Sequence, residues 1–184
     1  MKLLAISPGH GCDRARWTAV LRSGVDAFLI REKQLEARAL LDLARWCQDT
    51  APAVELWVSD RLDVALAAGC GLHAGESYPE VPAELVSLSR PLHSEDQWEA
   101  RQASRQLLLS PIFATPGKGT PWGVERLHRF LDSLPQEPPS LLALGGVDPA
   151  TAKGLRHPRL AGFAAIRPFW GEDPREVVAR FREA

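Results

Sequence analysis

At 184 residues, 45% of them hydrophobic and 24% charged, the chain suits one domain with a single sizeable core. A formal net charge of −1 supplies no basic field for nucleic acid or for an anionic membrane surface. No segment approaches the roughly 18 apolar residues of a membrane helix. The opening Met1-Lys2-Leu3-Leu4-Ala5-Ile6-Ser7-Pro8 is too short for a signal-peptide core. Cys12, Cys47 and Cys70 are odd in number and scattered, which fits reduced thiols in the cytoplasm rather than a disulfide frame or zinc site.

Strand and helix signals alternate along the chain. Apolar runs of strand character fall at 2–6, 25–30, 54–58, 71–73, 88–92, 106–109, 140–144 and 160–166. Helical spacing is expected at 13–23, 36–48, 62–68, 80–86, 94–104, 123–132, 148–156 and 173–183. A strand buried on both faces reads as a short unbroken apolar run, as in a parallel sheet. The clearest helix carries an apolar stripe of Leu40, Leu41, Leu43, Ala44 and Cys47, with Arg38, Asp42, Arg45 and Gln48 mostly facing away. Asp13, Ser94 and Asp148 are placed as N-caps, and Asp173-Pro174 adds a cap followed by proline at the first helical position. Eight such βα units predict a single compact α/β domain over 1–184, closed into a (β/α)8 TIM barrel. The usual lower bound for that fold is about 200 residues, so loops are expected to be short and some helices trimmed. The alternative, an open doubly wound sheet, wants a glycine fingerprint after the first strand. Ser7-Pro8-Gly9-His10-Gly11 does not supply it.

In a barrel, the residues just past each strand converge on one face. The second strand, Phe28-Leu29-Ile30, runs straight into Arg31-Glu32-Lys33. Arg31 and Lys33 point to one side of an extended chain and Glu32 to the other, so the two cations suit an anion such as phosphate. After the third strand come Ser59, Asp60 and Arg61; after the fourth His73, Gly75 and Glu76; after the fifth His93 and Ser94. A long loop, Ser110 to Gly123, follows the sixth, Gly145-Gly146 the seventh, and Arg167 the eighth. The loops after strands seven and eight are the customary phosphate site of such barrels, and the glycine pair permits close backbone approach.

The ordered set Ile30-Arg31-Glu32-Lys33, Ser59-Asp60-Arg61, Gly71-Leu72-His73-Ala74-Gly75, Leu92-His93-Ser94, Ser110-Pro111-Ile112-Phe113-Ala114-Thr115-Pro116-Gly117-Lys118-Gly119, Leu144-Gly145-Gly146-Val147 and Gly162-Phe163-Ala164-Ala165-Ile166 resembles the thiamine phosphate synthase/TenI superfamily over nearly the whole length. The resemblance implies a (β/α)8 barrel. For the synthase it implies condensation of hydroxymethylpyrimidine diphosphate with thiazole phosphate and release of pyrophosphate. By that likeness Arg31, Lys33 and Lys118 bind the diphosphate, Asp60 is a magnesium carboxylate, and Gly145, Gly146, Ala165 and Ile166 cradle the thiazole phosphate. Magnesium is then the expected cofactor, weakly held without a diphosphate. The expected partners are small phosphorylated thiazole and pyrimidine molecules, with a homodimer left open.

Departures from the synthase pattern sit at the diphosphate and metal positions. Ser59 stands for an Asn before Asp60, and only a displaced Glu76 is available as the second metal acid. Pro91 replaces a Ser, Thr115-Pro116-Gly117-Lys118 lacks a second hydroxyl, and Arg167 replaces the Ser after the last strand. The superfamily's other chemistry, a TenI-type thiazole tautomerase, uses a His where this chain has Pro111, so its base would have to be Glu76 or His93. A non-catalytic barrel that binds thiazole or thiamine phosphate is the third reading. Trp17, Trp46, Trp57 and Trp98 are expected to pack in the core or helical shell. Trp122 is a candidate to close over a ligand and Trp170 to wall the phosphate end. His10, His128 and His157 carry no expected role.

Overall fold

Each apolar run forms a strand, and the computed structural model describes residues 1–184. The strands are β1 (Lys2–Ile6), β2 (Ala27–Ile30), β3 (Glu55–Ser59), β4 (Gly71–His73), β5 (Leu88–Leu92), β6 (Gln106–Leu109), β7 (Ser140–Ala143) and β8 (Gly162–Ala165). They close into a barrel in chain order, every neighbouring pair parallel, with β8 returning to β1. Helices are α1 (Arg14–Leu21), α2 (Ala37–Thr50), α3 (Leu62–Ala68), α4 (Trp98–Arg101), α5 (Gly123–Ser133), α6 (Pro149–Ala152), α7 (Arg167–Gly171) and α8 (Pro174–Glu183).

Strand alternation divides the core in two. Leu4, Ile6, Ala27, Leu29, Trp57, Leu108, Leu142 and Ala164 form a cluster inside the barrel. Their strand neighbours, among them Leu3, Phe28, Val58, Leu107 and Phe163, join the larger cluster between barrel and helices. The inside is narrow enough that residue choice is dictated. Trp57 lies over Gly71, where a Cβ would sit 2.2 Å from the indole.

Trimming falls where the sequence breaks its own helical spacing. The helix expected at 80–86 does not form: the stretch is turn and irregular chain, and Leu85 is left half exposed. Pro82 disfavours the α conformation at Val81 just before it, so a helix this short cannot start there. The expected 94–104 helix becomes a 3-10 turn at Glu95–Gln97 followed by α4, and 148–156 becomes α6 followed by a 3-10 turn at Lys153–Leu155. Asp13, Asp148 and Asp173 cap as expected, whereas Ser94 makes no side-chain cap bond. The short α7, opening with Arg167-Pro168, was not expected. No helix is long and apolar enough to cross a membrane, and all three cysteines are free.

Candidate active site

The carboxyl ends of β2, β3 and β4 bring one cluster of charge together. Inward-facing alternation places Arg31, Ser59 and His73 on the barrel side of these strands. Arg31 is fixed by its backbone N–H, which donates to the fully buried Ser7 hydroxyl at 2.8 Å. Glu32 points away from the two cations, as expected, and is buried: its carboxylate accepts the Gly9 and Gly11 N–H groups at 3.0 and 2.8 Å and so pins the β1–α1 loop. Lys33 reaches Asp60 at 3.5 Å and remains largely exposed.

Asp60 is the centre of this half. Its φ is 56°, and it is the one non-glycine residue with positive φ. That conformation aims the carboxylate back across the strand end. Oδ1 accepts the Gly75 N–H at 2.7 Å and Oδ2 accepts the Ser59 hydroxyl at 3.0 Å. Gly75 is required for the approach, since a Cβ there would lie 2.9 Å from Oδ1. Burial pushes the Asp60 carboxyl upward, but the Gly75 and Ser59 hydrogen bonds together with Lys33 outweigh it and hold the group below the usual carboxylate range. Beside it, burial pulls His73 down to about 4, with Arg31, Lys33 and Arg90 adding to the fall and Asp60 opposing it. Lys33, Ser59 and Asp60 also line a cavity of about 320 Å³ with Glu32, Arg61 and Tyr78.

Across the barrel mouth, β7 and β8 build the second half. A cavity of about 520 Å³ is lined by Thr115, Gly145, Gly146, Ala165, Ile166 and Arg167. Four of these, Gly145, Gly146, Ala165 and Ile166, are the expected thiazole-phosphate positions, and Thr115 and Arg167 lie beside them. The glycine pair has a second reason to be there. Gly145 and Gly146 have φ of 96° and 69°, and Cβ atoms would come within 2.8 Å of Pro111 and 2.7 Å of Phe113. The N–H groups of Ile112 and Phe113 donate to the Leu144 and Gly145 carbonyls at 2.9 Å each. The β6–α5 loop therefore lies directly on the cradle, and glycine is what lets it do so.

Other expected residues stand apart from both halves. Glu76 is taken by Arg101, whose guanidinium holds both carboxylate oxygens at 2.7 and 3.0 Å, and by Gln97 at 3.1 Å. The Arg101 hydrogen bonds set against modest burial hold its carboxyl below the usual range. No group of three or more His, Cys, Asp or Glu side chains able to hold a metal ion is assembled. His93 bonds through Nδ1 to the Ser110 carbonyl and lies 3.5 Å from Glu76 through Nε2, bracing the β5 and β6 ends. Lys118 is exposed on the β6–α5 loop. Trp122 is not over the mouth: it is buried against Phe130, with Arg126 on its ring. Trp170 packs on Trp17 and Phe28 and donates to the Ile6 carbonyl at 2.7 Å, outside the barrel. Ser7 and Arg101 were missed because a lone hydroxyl and a helix-end Arg carry no pattern in sequence.

The family model described as thiamine monophosphate synthase matches residues 3–169. Thiamine-phosphate synthase of Albidiferax ferrireducens is 32% identical over 182 residues, covering 90% of this chain and 81% of that protein. The Syntrophomonas wolfei thiamine-phosphate synthase is 30% identical over 172 residues, with 87% and 82% covered. Among solved structures, thiamine phosphate pyrophosphorylase from Pyrococcus furiosus superposes with a TM-score of 0.84 at 22% identity, over 99% of this chain and 94% of that one. At that identity the likeness speaks for the fold, and the sequence matches carry the kinship. The chain belongs to the thiamine monophosphate synthase family.

Proposed function

We propose that the chain condenses hydroxymethylpyrimidine diphosphate with thiazole phosphate and releases pyrophosphate. The observation that carries this reading is the two-sided mouth. A glycine cradle on β7 and β8 faces, across the barrel, a cationic cluster on β2 to β4. One half suits a monophosphate and the other a diphosphate. Departure of the diphosphate takes the electron pair of the breaking C–O bond and leaves the pyrimidine carbocation-like. The thiazole then supplies the pair for the new bond. The task of the protein is to hold both partners and neutralise the leaving group. Arg31 and Lys33 do so from the strand end, and Lys118 joins them as the β6–α5 loop settles over the ligand. Thr115 and Arg167 border the thiazole phosphate, and Ser59 holds the Asp60 carboxylate in place.

Magnesium fits this donor set in one way. Asp60 is a lowered, pre-aimed carboxylate, whereas Glu76 is committed to Arg101. Magnesium usually binds through one or two carboxylates plus substrate phosphates. Asp60 would hold the ion alongside diphosphate oxygens and water, and the ion would supply charge neutralisation on the departing group. The tautomerase alternative would draw its base from Glu76 or His93, and both are engaged in the brace at the β5 and β6 ends.

Incubation with the two substrates, with and without magnesium, tests the reading. Thiamine phosphate and pyrophosphate in equal amounts, dependent on magnesium, are expected. Absence of product together with aromatising turnover of the thiazole carboxylate phosphate tautomer would replace the synthase reading by the tautomerase one.

A further inference from the structure

The barrel interior is not wholly apolar. Alternation turns Lys2, Glu55, Gln106, Ser89 and His73 inward, and four of them form a hydrogen-bonded chain. Lys2 Nζ donates to Gln106 Oε1 at 3.0 Å while also pairing with Glu55. Gln106 Nε2 reaches Ser89 Oγ at 3.3 Å, and Ser89 Oγ lies 3.0 Å from His73 Nδ1. Ser89 is fully buried and Gln106 nearly so. Leu88 and Leu107 on the same strands face outward into the helical layer.

The direction of this chain is fixed at its Lys2 end. An ammonium only donates, so the Gln106 amide must turn its oxygen to Lys2 and its NH2 to Ser89. Ser89 Oγ thus accepts from Gln106, and its own hydroxyl proton needs an acceptor. Buried hydroxyls rarely forgo one. His73 Nδ1 is the only one in reach. Nδ1 must then be unprotonated, which puts the single ring proton on Nε2. His73 Nε2 makes no hydrogen bond within the protein, and the side chain, at the β4 end, is only partly covered.

We propose that Lys2, Gln106 and Ser89 are positioning residues that lock His73 as a neutral Nε2–H imidazole, an N–H donor to the anionic group bound beside Arg31 and Asp60. The role toward a diphosphate rests on the synthase reading above, but the tautomer belongs to the free protein and is measured there. A neutral donor adds a directed contact between the cations without adding a third charge.

Long-range ¹H–¹⁵N spectra of histidine-labelled protein decide the tautomer, with His73→Gln assigning the signals. The expected pattern is pyrrole-like Nε2 and pyridine-like Nδ1, and the reverse pattern or a cationic ring in the parent protein overturns the proposal. Gln106→Glu is the critical variant, because its carboxylate satisfies Lys2 and accepts the Ser89 proton, reversing the chain. His73 should then switch to Nδ1–H, and affinity for inorganic pyrophosphate should fall about tenfold. Ser89→Ala should give a mixture of tautomers, and it serves the same test if Gln106→Glu does not fold. A His73 tautomer unmoved by either variant overturns the lock. A switched tautomer with unchanged pyrophosphate affinity overturns the donor role, whatever the outcome of the synthase assay.

Discussion

Asp60 shows how much a single residue is asked to do at the mouth. A left-handed conformation costs an L-residue about 1–2 kcal/mol, and only a fixed set of partners holds it there. Gly75, Ser59 and Lys33 supply that set. Asp60→Asn tolerates the same φ but loses the charge, so it should fold normally and bind diphosphate-bound magnesium poorly. The stability it forfeits depends on pH in a definite sense. The folded carboxyl is lowered, so the carboxylate's contribution is fully present above its unfolded value of about 3.9. It is lost as pH falls through the folded value. The difference in urea midpoint between parent and Asp60→Asn should therefore be level near neutrality and shrink below about pH 4. A difference that grows on acidification would contradict the lowered carboxyl. On the neighbouring strand, Arg31→Ala should weaken pyrophosphate binding by about 1.5–3 kcal/mol, the scale of a charge-assisted contact. Titration calorimetry reads this directly, and unchanged affinity would remove Arg31 from the anion site.

At the level of elements, legibility followed length and burial. The strands could be read chiefly from short apolar runs covered on both faces, as Phe28-Leu29-Ile30 and Leu107-Leu108-Leu109 show, although β5 carries Ser89 and Arg90 in its middle. Helices were legible where an apolar stripe ran for three turns, as in α2, and not where prolines fell in a short segment, as at Pro79 and Pro82. The cradle positions could be placed because backbone contacts follow strand ends. The partners of Glu76 and His93 could not, because Arg101, Gln97 and Ser110 are distant in sequence and meet them only through the closed barrel. Trp122 misled for a related reason: a loop residue next to a helix start folds inward onto Phe130 once α5 forms. The β6–α5 loop and the β7 turn act as one unit. Gly145→Ala would force a side chain into a positive-φ position and against the Pro111 backbone. It should destabilise the protein by about 1–3 kcal/mol and loosen the cradle. Denaturant unfolding measures the first effect, and thiazole phosphate affinity the second. A variant as stable and as tight as the parent would show that the loop does not depend on this contact.

The whole molecule sets the two halves of the mouth on opposite strands of a closed barrel, so neither can move toward the other by bending the sheet. The start of the β6–α5 loop is pinned to the β7 turn, and Lys118 stands exposed beyond it, toward the ligand's side of the mouth. Metal binding should be a property of the complex rather than of the free protein for the same reason. One aimed carboxylate gives magnesium too few oxygens to displace its water, and a diphosphate beside Arg31 and Lys33 supplies the rest. Calorimetry of magnesium alone should show no appreciable binding, while magnesium should raise pyrophosphate affinity by about tenfold or more, a coupling of about 1.4 kcal/mol. The coupling is reciprocal, so pyrophosphate should raise magnesium affinity by the same factor. In Asp60→Asn it should largely vanish, whereas Glu76→Gln, whose parent carboxylate is held by Arg101, should retain it. Retention in Asp60→Asn with loss in Glu76→Gln would move the metal to the other side of β4 and reverse the roles assigned to the two acids.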